Sequence, residues 1–584
     1  MCGIFGYTGT KDNAKDIILE GLKKLEYRGY DSWGVIIVSK QKTLAVKKKI
    51  GKIGQANVED LPKGRVGLGH TRWATHGGVT VQNAHPHTDC HKRFAVVHNG
   101  IVENYENLRL SLKKSHKFIS ETDTEVLAHL IEEYAETYDF LEAVRKVFIL
   151  TKGLNAIIVV DKESGIIISA KTGSPVVLAK NADGCFLASD SASLLKYSRE
   201  LLFLDDGEMA VMDGEDIKIF KAKNGKKLKT NFQKVDWEQT SAKLGKYQHF
   251  MLKEIEEQPK VLINTATNLV GEAQKIADLI RNKKIIIIAC GSSYNAALYA
   301  KYLFKRQAGI DCEVVYASED SFLNNLSSDS IVIAISQSGE TIDIIESVKK
   351  IQAQKIKFIS LVNVLGSTLY RIADEKVLLG AGSEIGVCAT KSFIAQVGFI
   401  VLLSYALAGK ISLGQKKLLD TQKAIDNIIN QSSNIKKLAK KLNKNKNLFV
   451  LGRGVSYPAA LESALKIKEV SYLHAEGLVG GELKHGPIAL IEQNTLCIVL
   501  VLRDENYDAI ISNAVELRAR GAYIIGISSV KTKNFDFWLP ISDLGEISSI
   551  QQVIYSQYLS YFLAVEKKLD PDKPRNLAKS VTVK

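Results

Sequence analysis

The sequence predicts a multidomain α/β protein in two parts, a strand-dense α+β region followed by a duplicated α/β region. Up to about residue 230, short β-rich runs (Trp33–Val38, Phe94–His98, Ala156–Val160, Gly165–Ala170) are interrupted by few helices. That pattern suits sheet packed on sheet or an α+β layer arrangement. From about residue 280 the rhythm becomes strand, loop, long helix, the mark of a parallel sheet flanked by helices. Within this part Ile286–Leu298 is echoed by Phe449–Leu461: an apolar strand, a glycine turn, Ser-Tyr, then an Ala-Ala-Leu helix start. At roughly 100–200 residues per domain, 584 residues make about three to five domains, each able to bury its own core.

Taken in order, Ala14–Leu25 has helical spacing. A second helix is expected to open with a capping box, Thr122-x-x-Glu125, and to run through Val126, Leu127, Leu130, Ile131 and Tyr134. The lysine-rich stretch Lys221–Lys229 lies near the end of the first part, and Tyr247–Ala277 reads as helical. The apolar strand Ile331–Ile335 leads into Ser336-Gln-Ser-Gly-Glu-Thr341. Its counterpart Leu496–Leu502 leads into Arg503-Asp-Glu, so one phosphate site per chain is expected, in the first copy.

Composition narrows the class. With 46% hydrophobic and 24% charged residues, 42 glycines and 9 prolines, collagen-like and proline-rich disordered chains are excluded. The net charge of +14 suits anionic partners. The basic residues are dispersed, without an aromatic-basic motif, which argues against nucleic acid. Seven scattered cysteines with no CxxC pair exclude a disulfide scaffold or zinc ribbon. No signal peptide is recognisable, and the most apolar window, Val397–Leu407, is too short to span a bilayer. A soluble, reduced, cytoplasmic protein with no membrane association is expected.

Removal of Met1 would leave Cys2 with both a thiol and a free α-amine, whose ordinary pKa of about 7.7–8.0 lets it serve as a base for its own nucleophile. His70-Thr-Arg-Trp-Ala-Thr-His76, His98-Asn-Gly-Ile101 and Ser120-Glu-Thr-Asp-Thr-Glu125 are polar clusters beside strands or helix starts. Arg72 offers a fork for a carboxylate, and Asp123 pairs with an ammonium. Asn99 and the Gly100 N–H are the donors an oxyanion hole needs. Six of the eleven histidines fall between residues 70 and 98, so His85-x-His87 and Cys90-His91 raise a metal site as a rival. No HExxH, CxxC or acidic cluster supports it, and no metal is expected.

Ser336–Thr341 follows a strand and opens a helix, so its N–H groups, the helix dipole and the hydroxyls of Ser336, Ser338 and Thr341 converge where an anion would sit. Ser292 and Ser293 occupy the equivalent turn of the neighbouring unit. Neither glycine turn completes GxGxxG, which excludes a dinucleotide fingerprint. Glu462, Lys466 and Glu469 share one helix face at i, i+4 and i+7. On spacing alone they read as a solvated salt-bridge ladder or as a proton-transfer pair.

These motifs carry a resemblance. Cys2-Gly-Ile-Phe-Gly, Tyr27-Arg-Gly-Tyr-Asp-Ser32, His70–His76, His98-Asn-Gly100 and Ser120–Glu125 resemble the class II glutamine amidotransferase domain, an N-terminal-nucleophile (Ntn) hydrolase fold of four α+β layers. Ser336–Thr341 resembles the phosphate loop of sugar-isomerase (SIS) domains, and Lys468-Glu-Val-Ser-Tyr472, Gly481–Pro487 and Pro574–Val583 complete the set. The combination, over nearly the whole chain, resembles the isomerising glutamine–fructose-6-phosphate aminotransferase family.

The resemblance implies an amidotransferase domain at 2–218, a linker with connecting helices at 219–275, SIS domains at 276–414 and 439–574, and an active-site tail at 575–584. It implies Cys2, Asn99, Gly100, Lys466, Glu469, His485 and Lys579 as catalytic. Arg72, Trp73, Thr75, His76 and Asp123 would bind glutamine, with Trp73 also gating an ammonia channel. Ser292, Ser293, Ser336, Gln337, Ser338, Thr341, Val387 and Ala578 would bind the sugar phosphate. His485 would assist ring opening and Lys579 would form a Schiff base with the ketose. No cofactor is implied, and a homodimer sharing its sugar sites near His485 is. Departures from the family pattern are Ser292 for threonine, Cys388-Ala389 for a serine-containing pair, and Trp33, which is expected to crowd the Cys2 pocket. The rival readings are an enzyme that deglycates or rearranges another sugar phosphate, and a sugar-phosphate-binding regulator without turnover.

Overall fold

A computed structural model describes residues 2–235 and 244–582; Met1 and Val583 of the tail motif lie outside them. The chain forms two compact units, Met1–Gln239 with Ala578–Lys584, and Thr240–Leu577.

The first unit is built on two antiparallel sheets. One has eight strands in the order Gln233–Lys234, Glu200–Phe203, Val177–Asn181, Gly184–Ala188, Gly3–Gly9, Gly64–Arg72, Ser32–Ser39, Leu44–Ile50. The other has seven, with Phe94–Gly100 between Asn155–Asp161 and the short His87–Thr88. Period-two alternation puts Ile4, Ile36 and Leu68 of the first sheet against Ala95, Ile158 and Ala210 of the second in one core. The opposite face of the first sheet, through Phe5 and Val35, buries Ile18 and Leu22 of helix Ala14–Lys24. The outer face of the second buries Val126, Leu130 and Val144 of helices Glu125–Tyr134 and Phe140–Leu150. The result is the expected four layers, helix, sheet, sheet, helix.

Two expectations are corrected. The capping box does not form: the helix starts at Glu125, two residues late, and its cap Thr124 makes no side-chain cap bond. Glu125 turns back to accept from Ile119 N, Ser120 N and Ser120 Oγ at 2.7–2.8 Å, while Thr122 Oγ1 lies 3.0 Å from His87 Nε2. Residues 219–235, expected as linker, instead extend the sheets: Lys227–Leu228 pairs with Ile219–Phe220, and Gln233–Lys234 with Glu200–Leu201. Their lysines are tolerable because these strands are sheet edges, where charge faces water and discourages further pairing.

The second unit holds two five-stranded parallel sheets. In the first, Cys312–Tyr316 and Ser330–Ser336 flank Lys284–Ala289, followed outward by Phe358–Val362 and Glu375–Leu378. In the second, His474–Val479 and Leu496–Leu500 flank Asn447–Gly452, followed by Tyr523–Ser528 and Phe537–Pro540. Both have strand order 2-1-3-4-5, which bears out the duplication, and ligands bind such sheets where the order reverses, beside the carboxyl ends of strands one and three. Tyr247–Ala277 resolves into three helices, Phe250–Glu256, Gln258–Asn268 and Val270–Ile280. The apolar window becomes helix Lys391–Leu407, buried along its whole length in a core shared by both copies. An all-round apolar helix of this length is a core element, and among the described residues no helix is long and apolar enough to cross a membrane.

Candidate active sites

In the first unit Cys2 precedes strand Gly3–Gly9, and Arg72 ends its neighbour Gly64–Arg72, so pairing of Gly3 with Thr71 brings Cys2 beside Trp73. Trp73 N donates to Cys2 Sγ at 3.3 Å. A cleft of about 250 Å3 is lined by Cys2, Arg72, Trp73, Thr75, His76, His85, His98, Gly100, Thr122, Asp123 and Thr124. All five residues expected to bind glutamine therefore meet beside the thiol. Asn99 Nδ2 donates to the Cys2 carbonyl at 2.9 Å, and Asn99 Oδ1 is buried without a hydrogen bond.

The cleft wall is stiff. The Arg72 guanidinium donates to the carbonyls of His76, Gly77 and Gly78, which folds the 73–78 loop around it. Burial pulls the Arg72 pKa down, against the attraction of Cys2 and Asp123. Asp123 Oδ2 accepts from Val102 N at 2.6 Å and Ala74 N donates to Asp31 at 2.8 Å. Gly100 has φ +139, and a Cβ there would meet Leu154 O at 2.2 Å, so only glycine ends this strand. Behind the cleft His70, His85, His87 and His98 are buried, and burial holds all four pKa values down, that of His70 to about 3. The lining also takes in His98, Thr122 and Thr124, which the sequence reaches only as members of the quoted motifs, and His85, which it reaches only as a rival metal ligand. Trp33 does not crowd the cleft. It packs with Leu25, Ile53 and Val58 on the helix-covered face of its strand, because side chains alternate across the sheet.

In the second unit Ser336–Thr341 lies at the switch point of the first parallel sheet. Ser336 Oγ and Thr341 Oγ1 are 3.0 Å apart, Ser336 Oγ accepts from Gly339 N at 3.0 Å, and Ser338 Oγ accepts from Glu340 N at 3.1 Å. Gly339 has φ +65, and a Cβ would come 2.0 Å from Ser367 Oγ. Gln337 O accepts from Asn363 N at 3.1 Å. Ser292 and Ser293 stand in the first turn of helix Gly291–Ala308, across the same switch point. Their hydroxyls serve the protein: Ser292 donates to Glu462 at 2.9 Å and Ser293 accepts from Gln396 at 3.0 Å.

The Glu462–Lys466–Glu469 face is no solvated ladder. Glu462 and Lys466 are fully buried. Lys466 Nζ lies 2.5 Å from Glu469 and 3.5 Å from Glu462, and Asn295 donates to Glu462 at 2.9 Å. Burial works against the ammonium, but Glu469 and Glu462 outweigh it and hold the Lys466 pKa up; burial also raises that of Glu462. The Cys388 thiol donates to Glu469 at 3.0 Å. Val387 is buried beside it, its N–H bonded to Asp572 O at 3.0 Å. His485 is exposed on the short turn Gly480–His485. Ala578 and Lys579 belong to the tail that groups with the first unit.

The comparisons agree with this anatomy. Residues 39–210 match the glutamine amidotransferase domain, and residues 278–406 and 441–536 match the SIS domain. The glutamine–fructose-6-phosphate aminotransferases (isomerizing) of Aquifex aeolicus and Pyrococcus horikoshii are 43% and 41% identical, with the whole of both chains covered. The C-terminal domain of glucosamine-fructose-6-phosphate aminotransferase from Francisella tularensis is 34% identical at a TM-score of 0.53, covering 57% of this chain and 100% of that one. Tagatose-6-phosphate ketose/aldose isomerase from Escherichia coli, at 18% identity and TM-score 0.51 over 57% of this chain and 96% of its own, shares the fold. With an amidotransferase domain ahead of two SIS domains and full-length relatives above 40% identity, the chain belongs to the isomerising glutamine–fructose-6-phosphate aminotransferase family.

Proposed function

We propose that this enzyme transfers the amide nitrogen of glutamine to fructose 6-phosphate and isomerises the product, yielding glucosamine 6-phosphate and glutamate. The observation that carries the reading is the meeting of Cys2 with Arg72 and Asp123 in one cleft, on a chain whose other unit sets a serine loop at a sheet switch point. Cys2 loses its proton to the α-amine freed by removal of Met1, and the sulfur attacks the glutamine amide. Asn99 and the Gly100 N–H hold the oxyanion, ammonia departs with a proton, and water cleaves the glutamyl thioester. Arg72 takes the substrate carboxylate and Asp123 its ammonium, with Trp73, Thr75 and His76 closing the wall.

Fructose 6-phosphate binds through Ser336, Gln337, Ser338 and Thr341, with Ser292, Ser293, Val387 and Ala578 completing the pocket. His485 assists ring opening, Lys579 condenses with the ketone, and ammonia displaces the lysine. Glu469, oriented by Lys466 and Cys388, moves the proton that converts ketose imine to aldose amine. Water would protonate free ammonia, which motivates a protected route gated by Trp73. We place the enzyme in the reducing cytoplasm, which suits its free cysteines, and infer a homodimer in which the exposed His485 serves the partner's sugar site. The amidotransferase domain, extended to the sheet edges near residue 235, and the SIS domains at 276–414 and 439–574 are the working parts.

The test is a Cys2→Ala variant assayed with glutamine and, separately, with ammonium salt, each with fructose 6-phosphate. Loss of glutamine use with retention of ammonium use is expected. Equal activity on glutamine would refute the nucleophile, and mass identification of a different product from labelled glutamine would favour a rearranging relative.

A further inference from the structure

Away from the cleft, the first unit gathers a second group of reactive side chains. Cys90 lies in the turn between strands His87–Thr88 and Phe94–Gly100, and His116 lies in the loop between helices Tyr105–Leu110 and Glu125–Tyr134. His129 and Glu132 sit three residues apart on one face of the latter helix. Packing of that helix on the second sheet, with Leu127, Ala128 and Ile131 buried, carries His129 and Glu132 to the turn. The side chains of His116, His129 and Glu132 are 4%, 1% and 8% exposed.

The ligand atoms converge. Cys90 Sγ is 3.5 Å from His116 Nδ1 and 3.6 Å from His129 Nδ1. Glu132 Oε2 is 3.1 Å from His116 Nδ1 and 3.5 Å from His129 Nδ1. All four atoms lie within 4.8 Å of one another. Bond lengths of about 2.3 Å to sulfur and about 2.0–2.1 Å to nitrogen and oxygen at tetrahedral angles give edges of roughly 3.5 Å for S···N and roughly 3.3 Å for N···O. The observed S···N edges of 3.5 and 3.6 Å match the first value, and the N···O edges of 3.1 and 3.5 Å lie either side of the second. Both histidines aim the same nitrogen, Nδ1, at the common point, whereas hydrogen bonding alone would not require it.

His116 has the surroundings of a metal ligand, and Cys90 lies exposed at the turn. His116 Nε2 lies 3.0 Å from Glu133 Oε1, and that carboxylate is fixed by Lys113 N and Lys114 N at 2.7–3.2 Å. Such a carboxylate–histidine pair fixes the tautomer that leaves Nδ1 free for a metal. The remaining Glu132 oxygen pairs with His91 Nδ1. A neighbouring group, Asp89, His91 and Glu132, competes for the role. Asp89 is already spent on the turn, accepting from Phe94 N at 2.6 Å and His91 N at 3.1 Å, and the His91 side chain is 82% exposed.

We propose that Cys90, His116, His129 and Glu132 bind one zinc ion in a closed, structural site. A thiolate, two imidazoles and a carboxylate suit zinc over magnesium or calcium, and four protein ligands leave no open position for catalysis. This departs from the metal-free expectation; of the rival ligands His85, His87, Cys90 and His91, only Cys90 enters the site, while His85 and His87 pack together behind the Cys2 cleft. The ion ties the hairpin turn, the 111–124 loop and the following helix together. Those segments carry Asn99, at the far end of the hairpin's second strand, and Asp123, just before the helix.

The test uses the full chain incubated with zinc chloride, freed of excess metal and analysed by mass spectrometry for bound metal. Roughly one zinc per chain is expected, falling below about a tenth in Cys90→Ser and His129→Ala and unchanged in His91→Ala. Cobalt substituted for zinc should give tetrahedral d–d bands and a thiolate charge-transfer band that Cys90→Ser removes, a readout on the wild-type chain that does not depend on a variant folding. Chelation should lower the melting temperature of the unsubstituted chain. No stoichiometric metal after reconstitution, full retention by Cys90→Ser, or loss of metal in His91→Ala would each overturn the assignment.

Discussion

Ser292 and Glu462, 170 residues apart in sequence, meet hydroxyl to carboxylate at 2.9 Å, joining the first turn of one duplicated unit to the helix of the other. Glu462 also accepts from Asn295 and faces Lys466 at 3.5 Å, with no solvent reaching either charged group. A buried ion cluster is tolerable only with every partner in place. Lys466→Met should therefore strand two carboxylates and destabilise the second unit by about 3–5 kcal/mol. Ser292→Ala should cost about 1.5–3 kcal/mol, the range for a hydrogen bond to a charged group. Chemical denaturation followed by a probe in that unit reads both, and an unchanged midpoint for Lys466→Met would contradict the buried cluster.

The four buried histidines behind the Cys2 cleft make the first unit acid-sensitive. Burial depresses the folded pKa of His70, His85, His87 and His98, with Arg72 and the neighbouring rings adding to it for the first three. The unfolded chain then binds protons that the folded chain refuses. Stability is fully present above the unfolded pKa of about 6.5 and is lost as pH falls toward the folded values. Each such histidine steepens the loss by up to about 1.4 kcal/mol per pH unit. His87→Gln should make the fall between pH 6 and pH 4 shallower by up to that amount. A denaturation midpoint that does not move across this range would refute the neutral cluster.

Asn99→Ala removes one of the two donors proposed for the oxyanion. Glutamine-dependent turnover should fall about 100- to 1,000-fold with little change in KM, because the bond strengthens only as charge develops. Ammonium-dependent synthesis should stay intact. Equal losses on both nitrogen sources would instead mean that the substitution damages the fold.

Gly339→Ala tests the serine loop. The left-handed φ costs an alanine about 1–2 kcal/mol, and its Cβ would press on Ser367. The loop should shift and the KM for fructose 6-phosphate rise severalfold with either nitrogen source, while hydrolysis of glutamine alone continues. A variant with unchanged KM would place the phosphate elsewhere.

Much of this was legible because it is local. A cysteine beside strand-forming glycines and a serine loop between an apolar strand and a helix are contiguous signals. Strand density reaches a sheet-on-sheet or α+β layering, and the family resemblance supplies the four layers. What the sequence hid depends on long-range geometry. Glu125 looked like a capping residue because its spacing from Thr122 fits, yet the backbone of Ile119 and Ser120 captures its carboxylate. The Glu462 face reads as solvated unless one knows that Asn295 and Ser292 close over it. Cys90, His116 and His129 come from a turn, a loop and a helix, with no spacing that a motif could encode.

Cys388 gives the sharpest test of the isomerase half. Its thiol donates to Glu469 at 3.0 Å, on the carboxylate oxygen that also meets Lys466 at 2.5 Å. A thiol and an ammonium on one oxygen fix the rotamer, and in the proposed mechanism the other oxygen carries the proton. Cys388→Ala removes one donor and a small buried volume, so Glu469 should lose part of its alignment. We expect kcat to fall about 2- to 10-fold with either nitrogen source, since misplacement of a proton-transfer group slows the chemical step. Cys388→Ser keeps a donor of similar reach and should restore most of the rate. Glutamine hydrolysis without sugar should be unaffected in both. If serine fails to rescue and alanine leaves kcat unchanged, the thiol is packing alone and Glu469 is held by Lys466.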